Sequence, residues 1–96
     1  KGAKLAGANL SGGQFVLTDL RDADLSGADL RKADLSGAIL MGANLRRTKL
    51  SYATMKPVEL RDPAGRPTGK MAATNFKGAT LTDADFSHVD RSDIIA

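Results

Sequence analysis

Ala23-Asp24-Leu25-Ser26-Gly27-Ala28-Asp29-Leu30-Arg31-Lys32-Ala33-Asp34-Leu35-Ser36-Gly37 is one pattern written three times. A small residue, a polar one and a leucine are followed by two polar or turn-forming residues. Outward from this stretch the same spacing holds. Large apolar side chains fall at Leu5, Leu10, Phe15, Leu20, Leu25, Leu30, Leu35, Leu40, Leu45, Leu50, Met55 and Leu60. After an interruption they resume at Met71, Phe76, Leu81 and Phe86. Two residues before each stands a small one, from Ala3 to Ala84, with Val58 the bulkiest exception.

A spacing of five fits neither common period. In an α-helix an apolar mark repeated every five residues rotates by about 140° each time and smears around the surface. In a plain strand the facing alternates, so an odd spacing sends successive marks to opposite sides. The pattern that fits is inward, outward, inward, then two outward residues that turn a corner. Asp and Asn beside the corners (Asn9, Asp19, Asp24, Asp29, Asp34, Asn44, Asn75, Asp85) stabilise turns by bonding nearby backbone. Stacked coils then pair through backbone hydrogen bonds about 4.8 Å apart.

Composition narrows the function classes. Ninety-six residues make one domain. There is no cysteine, hence no disulfide and no thiolate metal site. No apolar run reaches the roughly 18 residues of a membrane helix, and no signal peptide is visible. These features lead to an expected cytoplasmic location. The chain starts in mid-pattern at Lys1, which reads as a piece of something longer.

Runs such as Ala23-Asp24-Leu25-Ser26-Gly27 and Ala33-Asp34-Leu35-Ser36-Gly37 resemble the pentapeptide-repeat family. The resemblance implies an all-β fold: a right-handed, quadrilateral parallel β-helix of about four coils, one repeat per face. It implies little about activity. The best understood members resemble DNA in shape and charge and bind DNA gyrase, which protects it from quinolones. Others are modules of larger bacterial proteins.

Residues 1–96 are expected to form a single solenoid with an inserted corner loop at 61–70. Within it Pro63, Ala64, Gly65, Arg66, Pro67 and Thr68 read as exposed, with two prolines and a glycine among them. If those six residues are the insertion, four inward columns follow. They are Leu5, Leu25, Leu45 and Met71; Leu10, Leu30, Leu50 and Phe76; Phe15, Leu35, Met55 and Leu81; Leu20, Leu40, Leu60 and Phe86. The first two faces then gather a basic surface of Arg31, Lys32, Arg46, Arg47, Lys49, Lys70 and Lys77. Their net charge is about +6, against about −4 on the other two.

Catalytic motifs do not emerge. Gly65-Arg66-Pro67-Thr68-Gly69-Lys70 is one residue short of a phosphate-binding loop, and Met71 stands where a Ser or Thr would hold Mg²⁺. His88 is the one histidine. Asp83 and Asp85 belong to the repeat, and exposed carboxylates keep ordinary acidity. The expectation is a protein without catalysis, metal or cofactor: a scaffold or protein-interaction module of a larger bacterial protein. The alternatives are a gyrase-binding DNA mimic, which the formal charge of +3 opposes, and polyanion binding by the basic faces. Nucleic acid is not the expected partner, since stacking aromatics are lacking there apart from Tyr52. The expected contact is a small apolar cluster, Val16, Leu17, Ile39 and Met41. The regular core is expected to stop near Phe86, because Arg91 holds the next inward slot. Ile94 and Ile95 would fold over that end, and the uncovered coils would favour end-to-end self-association.

Overall fold

A computed structural model describes all 96 residues. Its backbone obeys one rule at each corner. The residue three beyond a central side chain donates its amide to that residue's carbonyl, as Ala8 does to Leu5 and Ala28 to Leu25, both at 3.0 Å. The residue just before the donor has positive φ at every corner from Gly2 to His88, save at Pro57. Negative φ followed by positive φ defines a type II turn. Glycine fills about half of these positions; Leu17, Asp22, Lys32, Arg47, Tyr52, Asp83 and His88 fill others.

Four ladders of parallel bridges stack the coils and define four sides. They run Lys4–Asp24–Asn44–Thr80, Asn9–Asp29–Lys49–Asp85, Gln14–Asp34–Thr54 and Asp19–Ile39–Asn75–Ile95. Amides on either side of each bridge bond alternately to the coils above and below. Asp24 donates to Ala3, and Leu25 to Asn44, each at 2.8 Å. The molecule measures 38 × 27 × 23 Å.

The interior is filled. Leu25, Leu30, Leu35, Leu40, Leu45 and Leu50 are fully buried, with Ala23, Ala28, Ala33, Ala38 and Ala43 packed between them. Where the larger Phe15 replaces leucine, the small slot shrinks to Gly13, since a Cβ there would lie 2.5 Å from the phenyl ring. Three small slots hold threonine, and two of these, Thr48 and Thr74, are fully buried. The Thr48 hydroxyl donates to the Leu25 carbonyl (2.8 Å) and Thr74 to Leu35 (2.7 Å), so both polar groups are satisfied inside the core.

The interruption is larger than the sequence count implies. Leu40 donates to the Asn75 carbonyl at 2.7 Å, so Phe76, not Leu60, stacks on Leu40. Leu81 therefore stacks on Leu45 and Phe86 on Leu50. Twenty-one residues separate Met55 from Phe76, where neighbouring slots are elsewhere five apart. The excess forms an antiparallel hairpin of β1 (Val58–Arg61) and β2 (Pro67–Ala72). Pro63 to Thr68 are exposed, but Pro67 and Thr68 belong to β2. The turn itself is organised by Asp62. Its carboxylate accepts from the Ala64 and Arg66 amides (3.0 and 2.8 Å) and pairs with the Arg66 guanidinium at 3.1 Å. Leu60 and Met71, placed inside by the five-residue count, are 37% and 57% exposed on the hairpin. Pro57 explains the departure. It sits where a corner needs positive φ, and its ring holds φ near −65°.

At the far end the coil continues past Phe86. Arg91 takes the inward slot without burial, its guanidinium 5.2 Å from the centroid of the Phe86 ring. Phe86 in turn meets Phe76 edge-on at 5.8 Å. Ile95 pairs with Asn75 and stays 45% exposed, so Ile94 alone packs on the core. Of the lid expected from both isoleucines, only half is thus found.

Leu35→Ala should cost about 2–5 kcal/mol in urea unfolding by opening a cavity. Met71→Ala should stay within about 0.5 kcal/mol, as an exposed substitution does. Deleting Val58–Ala73 together with Pro57→Gly should restore a regular corner and retain cooperative unfolding. The same deletion with Pro57 kept should melt at a lower temperature, because proline cannot adopt the left-handed corner.

Candidate functional site

The hairpin leaves the stack at the corner between the third and fourth sides and overhangs the fourth. Its base lies on Gly37. A Cβ at that glycine would come within 2.7 Å of Leu17 Cδ2 and within 3.3 Å of both the Ala72 carbonyl oxygen and Val58 Cγ2. Between hairpin and coil runs an open groove of about 450 Å³. Leu17, Ile39, Met41 and Ile95 line it from the coil, and Leu60, Met71, Ala72 and Ala73 from the hairpin. Of the expected contact cluster, the structure brings Leu17, Ile39 and Met41 together here. Val16 is 42% exposed at the same corner but outside the lining.

Leu60, Met71 and Ile95 escaped the sequence reading because the five-residue count assigned the first two to the interior and Ile95 to a lid. The signals were present. Val58 is too bulky for a small slot, and Pro57 cannot turn a corner.

Leu17 is the costly member. Its φ is +58° and it is 44% exposed. A non-glycine residue in the left-handed region gives up about 1–2 kcal/mol, and glycine serves the equivalent corner one coil up at Gly37. The leucine lays its side chain over Gly37 on the groove side.

The basic surface is less coherent than the sequence reading made it. Lys70 is on the hairpin and Lys77 on the fourth side, in the step above Met41. The first side holds Lys4, Arg46 and Arg47 against Asp24 and Asp83. The second holds Arg31, Lys32 and Lys49 against Asp29 and Asp85. Arg31 is committed to Asp29 at 2.7 Å. The strong separation of charge therefore disappears, and with it the main support for polyanion binding. On the second side Tyr52 stacks on His88, ring centroids 4.6 Å apart, above a polar recess that Arg31 and Lys32 line.

The acidic ladder positions have their own chemistry. Each carboxylate or amide oxygen accepts the backbone amide two residues on, from Asn9–Ser11 at 3.2 Å to Asp90–Ser92 at 3.0 Å. The side chains of Ser11, Arg21, Ser26, Arg31, Ser87 and Ser92 each add a bond, whereas Ser36 and Arg46 give the amide alone. The Arg31 side chain and then its amide hold the Asp29 carboxyl down at about 2, against an ordinary 3.8. Arg21 holds Asp19 well below the usual range. The hydroxyls of Ser26, Ser87 and Ser92 lower Asp24, Asp85 and Asp90, so Asp85 does not keep the ordinary acidity expected of an exposed carboxylate.

This geometry has known counterparts. The family profile for pentapeptide repeats matches residues 1–37 and 70–90, in eight copies. The chain belongs to the pentapeptide-repeat family, and its coil is that family's right-handed quadrilateral β-helix. A pentapeptide repeat protein from the Arabidopsis thaliana thylakoid lumen is 38% identical, with a TM-score of 0.75 over 97% of this chain and 54% of that one. A trypsin-treated M102R form of QnrB1, a plasmid-mediated fluoroquinolone resistance protein, is 20% identical, with a TM-score of 0.50 over 90% of this chain and 45% of that one. The chain thus spans about half the length of these two relatives. No curated protein matches it in sequence. No helix is long and apolar enough to cross a membrane.

The lowered carboxyls set an acid limit. Each binds its proton more weakly folded than unfolded, so its contribution to stability is complete above the ordinary value of 3.8 and is lost as pH falls through the folded value, about 2 for Asp29. Urea midpoints should be flat near neutrality and fall from about pH 4 towards 2. Asp29→Asn should lessen that fall while keeping the turn, since Asn44 already accepts the Arg46 amide at 3.1 Å.

Proposed function

We propose that the chain is a non-catalytic protein-interaction module. The observation that carries this reading is the apolar groove beneath the hairpin, set on a stack whose interior is already filled by its own side chains. A filled solenoid offers surfaces rather than a chamber. Leu17, Met41, Leu60, Met71 and Ile95 are five of its seven exposed large apolar residues, and all of them line this one strip. Such concentration of apolar surface marks an interaction site more often than a solvated face. Val16, Leu17, Ile39 and Met41 are proposed contacts on the coil side, and the hairpin from Pro63 to Thr68 is a second, projecting contact. Service as a module of a larger bacterial protein, and a cytoplasmic location, belong to the same proposal.

The DNA-mimic reading has less support. Likeness to QnrB1 extends to the fold, and a mimic of DNA needs an acidic surface, where this chain carries a formal +3. The proposal is tested with a photo-crosslinking benzoylphenylalanine placed in turn at Lys32, Arg46 and Met71. A discrete protein adduct at one position, which the purified partner then reproduces, is expected. Uniform labelling at all three, or none at any, counts against an interaction module.

A further inference from the structure

The groove is an open strip walled by the hairpin, and its length and lining limit what suits it. It begins at Leu17 in the first coil and ends at Ile95 in the last. Three steps of about 4.8 Å give a floor about 14 Å long, the length of four extended residues at about 3.3 Å each. The floor is one side of the prism, and the hairpin walls it along one flank. An extended strand of four residues matches a strip of that length.

The lining selects the side chains. Met41 and Met71 are unbranched and adaptable, and methionines of this kind suit apolar partners of varied shape. Leu17 holds a left-handed backbone at a cost that a glycine would avoid, yet its side chain remains 44% exposed on the floor. The rim selects the flanking charges. Lys77 lies one coil above Met41 and Lys70 directly precedes Met71, and neither is in an ion pair. Arg21, one coil below Met41, is neutralised by Asp19 at 2.7 Å. Two carboxylates oppose them: Glu59, which faces Met71 across the hairpin, and Asp22, which lies against Gly42 beside Met41.

We propose that the groove takes an extended segment of a partner protein, with two aliphatic side chains two positions apart and carboxylates flanking them. In an extended segment those two side chains point the same way, down onto Leu17, Met41 and Met71. The flanking carboxylates meet Lys70 and Lys77. This rests on the reading of the chain as an interaction module and names the site and its ligand class.

The test uses the full chain and a short fluorescein-labelled peptide, two leucines two apart between aspartates, followed by anisotropy. Two control peptides carry lysines for the aspartates or serines for the leucines. Saturable binding of the first alone is expected, weakened about tenfold by Met71→Ser or Leu60→Ser and reduced by salt through Lys77→Glu-sensitive contacts. Leu17→Asn separates function from folding. Asparagine tolerates the left-handed corner, so the melting temperature should hold while the peptide is lost. Equal binding of the lysine peptide, indifference to Met71→Ser and Leu17→Asn, or no binding at all would overturn the proposal. So would a concentration-dependent dimer that Met71→Ser abolishes, which would make a second copy the occupant. Crosslinks confined to Lys32 or Arg46 would remove the groove while leaving an interaction module intact.

Discussion

The fold depends on a type II turn repeated every five residues. Its hydrogen bond from the residue after the corner to the central residue closes each side, as between Ala28 and Leu25. Its cost is a left-handed residue at each corner, and the chain meets that cost with glycine at many corners and with Leu17, Lys32 or Tyr52 at others. Because the turn fixes the step, every fifth side chain reaches the axis and every coil rises by one strand spacing. The leucine column, the alanines beside it and the acceptor side chains that brace each corner follow from that geometry. Even the two buried threonines conform, since each hydroxyl finds a carbonyl of the coil beneath.

Much of this was legible in the sequence because the interior offers one kind of slot. A leucine at five-residue spacing has a single place to go, so Leu25 to Leu50 could be assigned by counting. The register beyond Met55 could not. Leu60 lies five residues after Met55 and Met71 five before Phe76, so both satisfy the count while standing outside the coil. The count measures distance along the chain, and a hairpin consumes chain without advancing the stack. Backbone conformation was the better guide. Pro57 cannot take the corner and Val58 is too large for the slot that follows.

The same error hid most of the groove. Its coil-side floor was visible as outward apolar residues, Leu17, Ile39 and Met41. Its wall was made of residues that an apolar-equals-core reading had already spent. Surface charge was misjudged for a related reason: Lys70 goes to the hairpin, Lys77 moves two sides round to the fourth, and Asp83 and Asp85 come onto the first and second sides, so an apparent basic face becomes a mixed one. In a stack, a two-step slip in register leaves the core plausible and rewrites the surface.

The hairpin enters after Pro57 and returns at Thr74, whose hydroxyl is at once bonded to Leu35 in the coil below. Nothing in the ladders records what happened between. The Ile39–Asn75 bridge closes as its neighbours do, although the chain has travelled far further to make it. Evolution can therefore treat this corner as a socket. A different excursion with the same entry and exit would leave the stack's cohesion untouched and give it another partner. Kinship read from the coils would then say little about what two such proteins recognise.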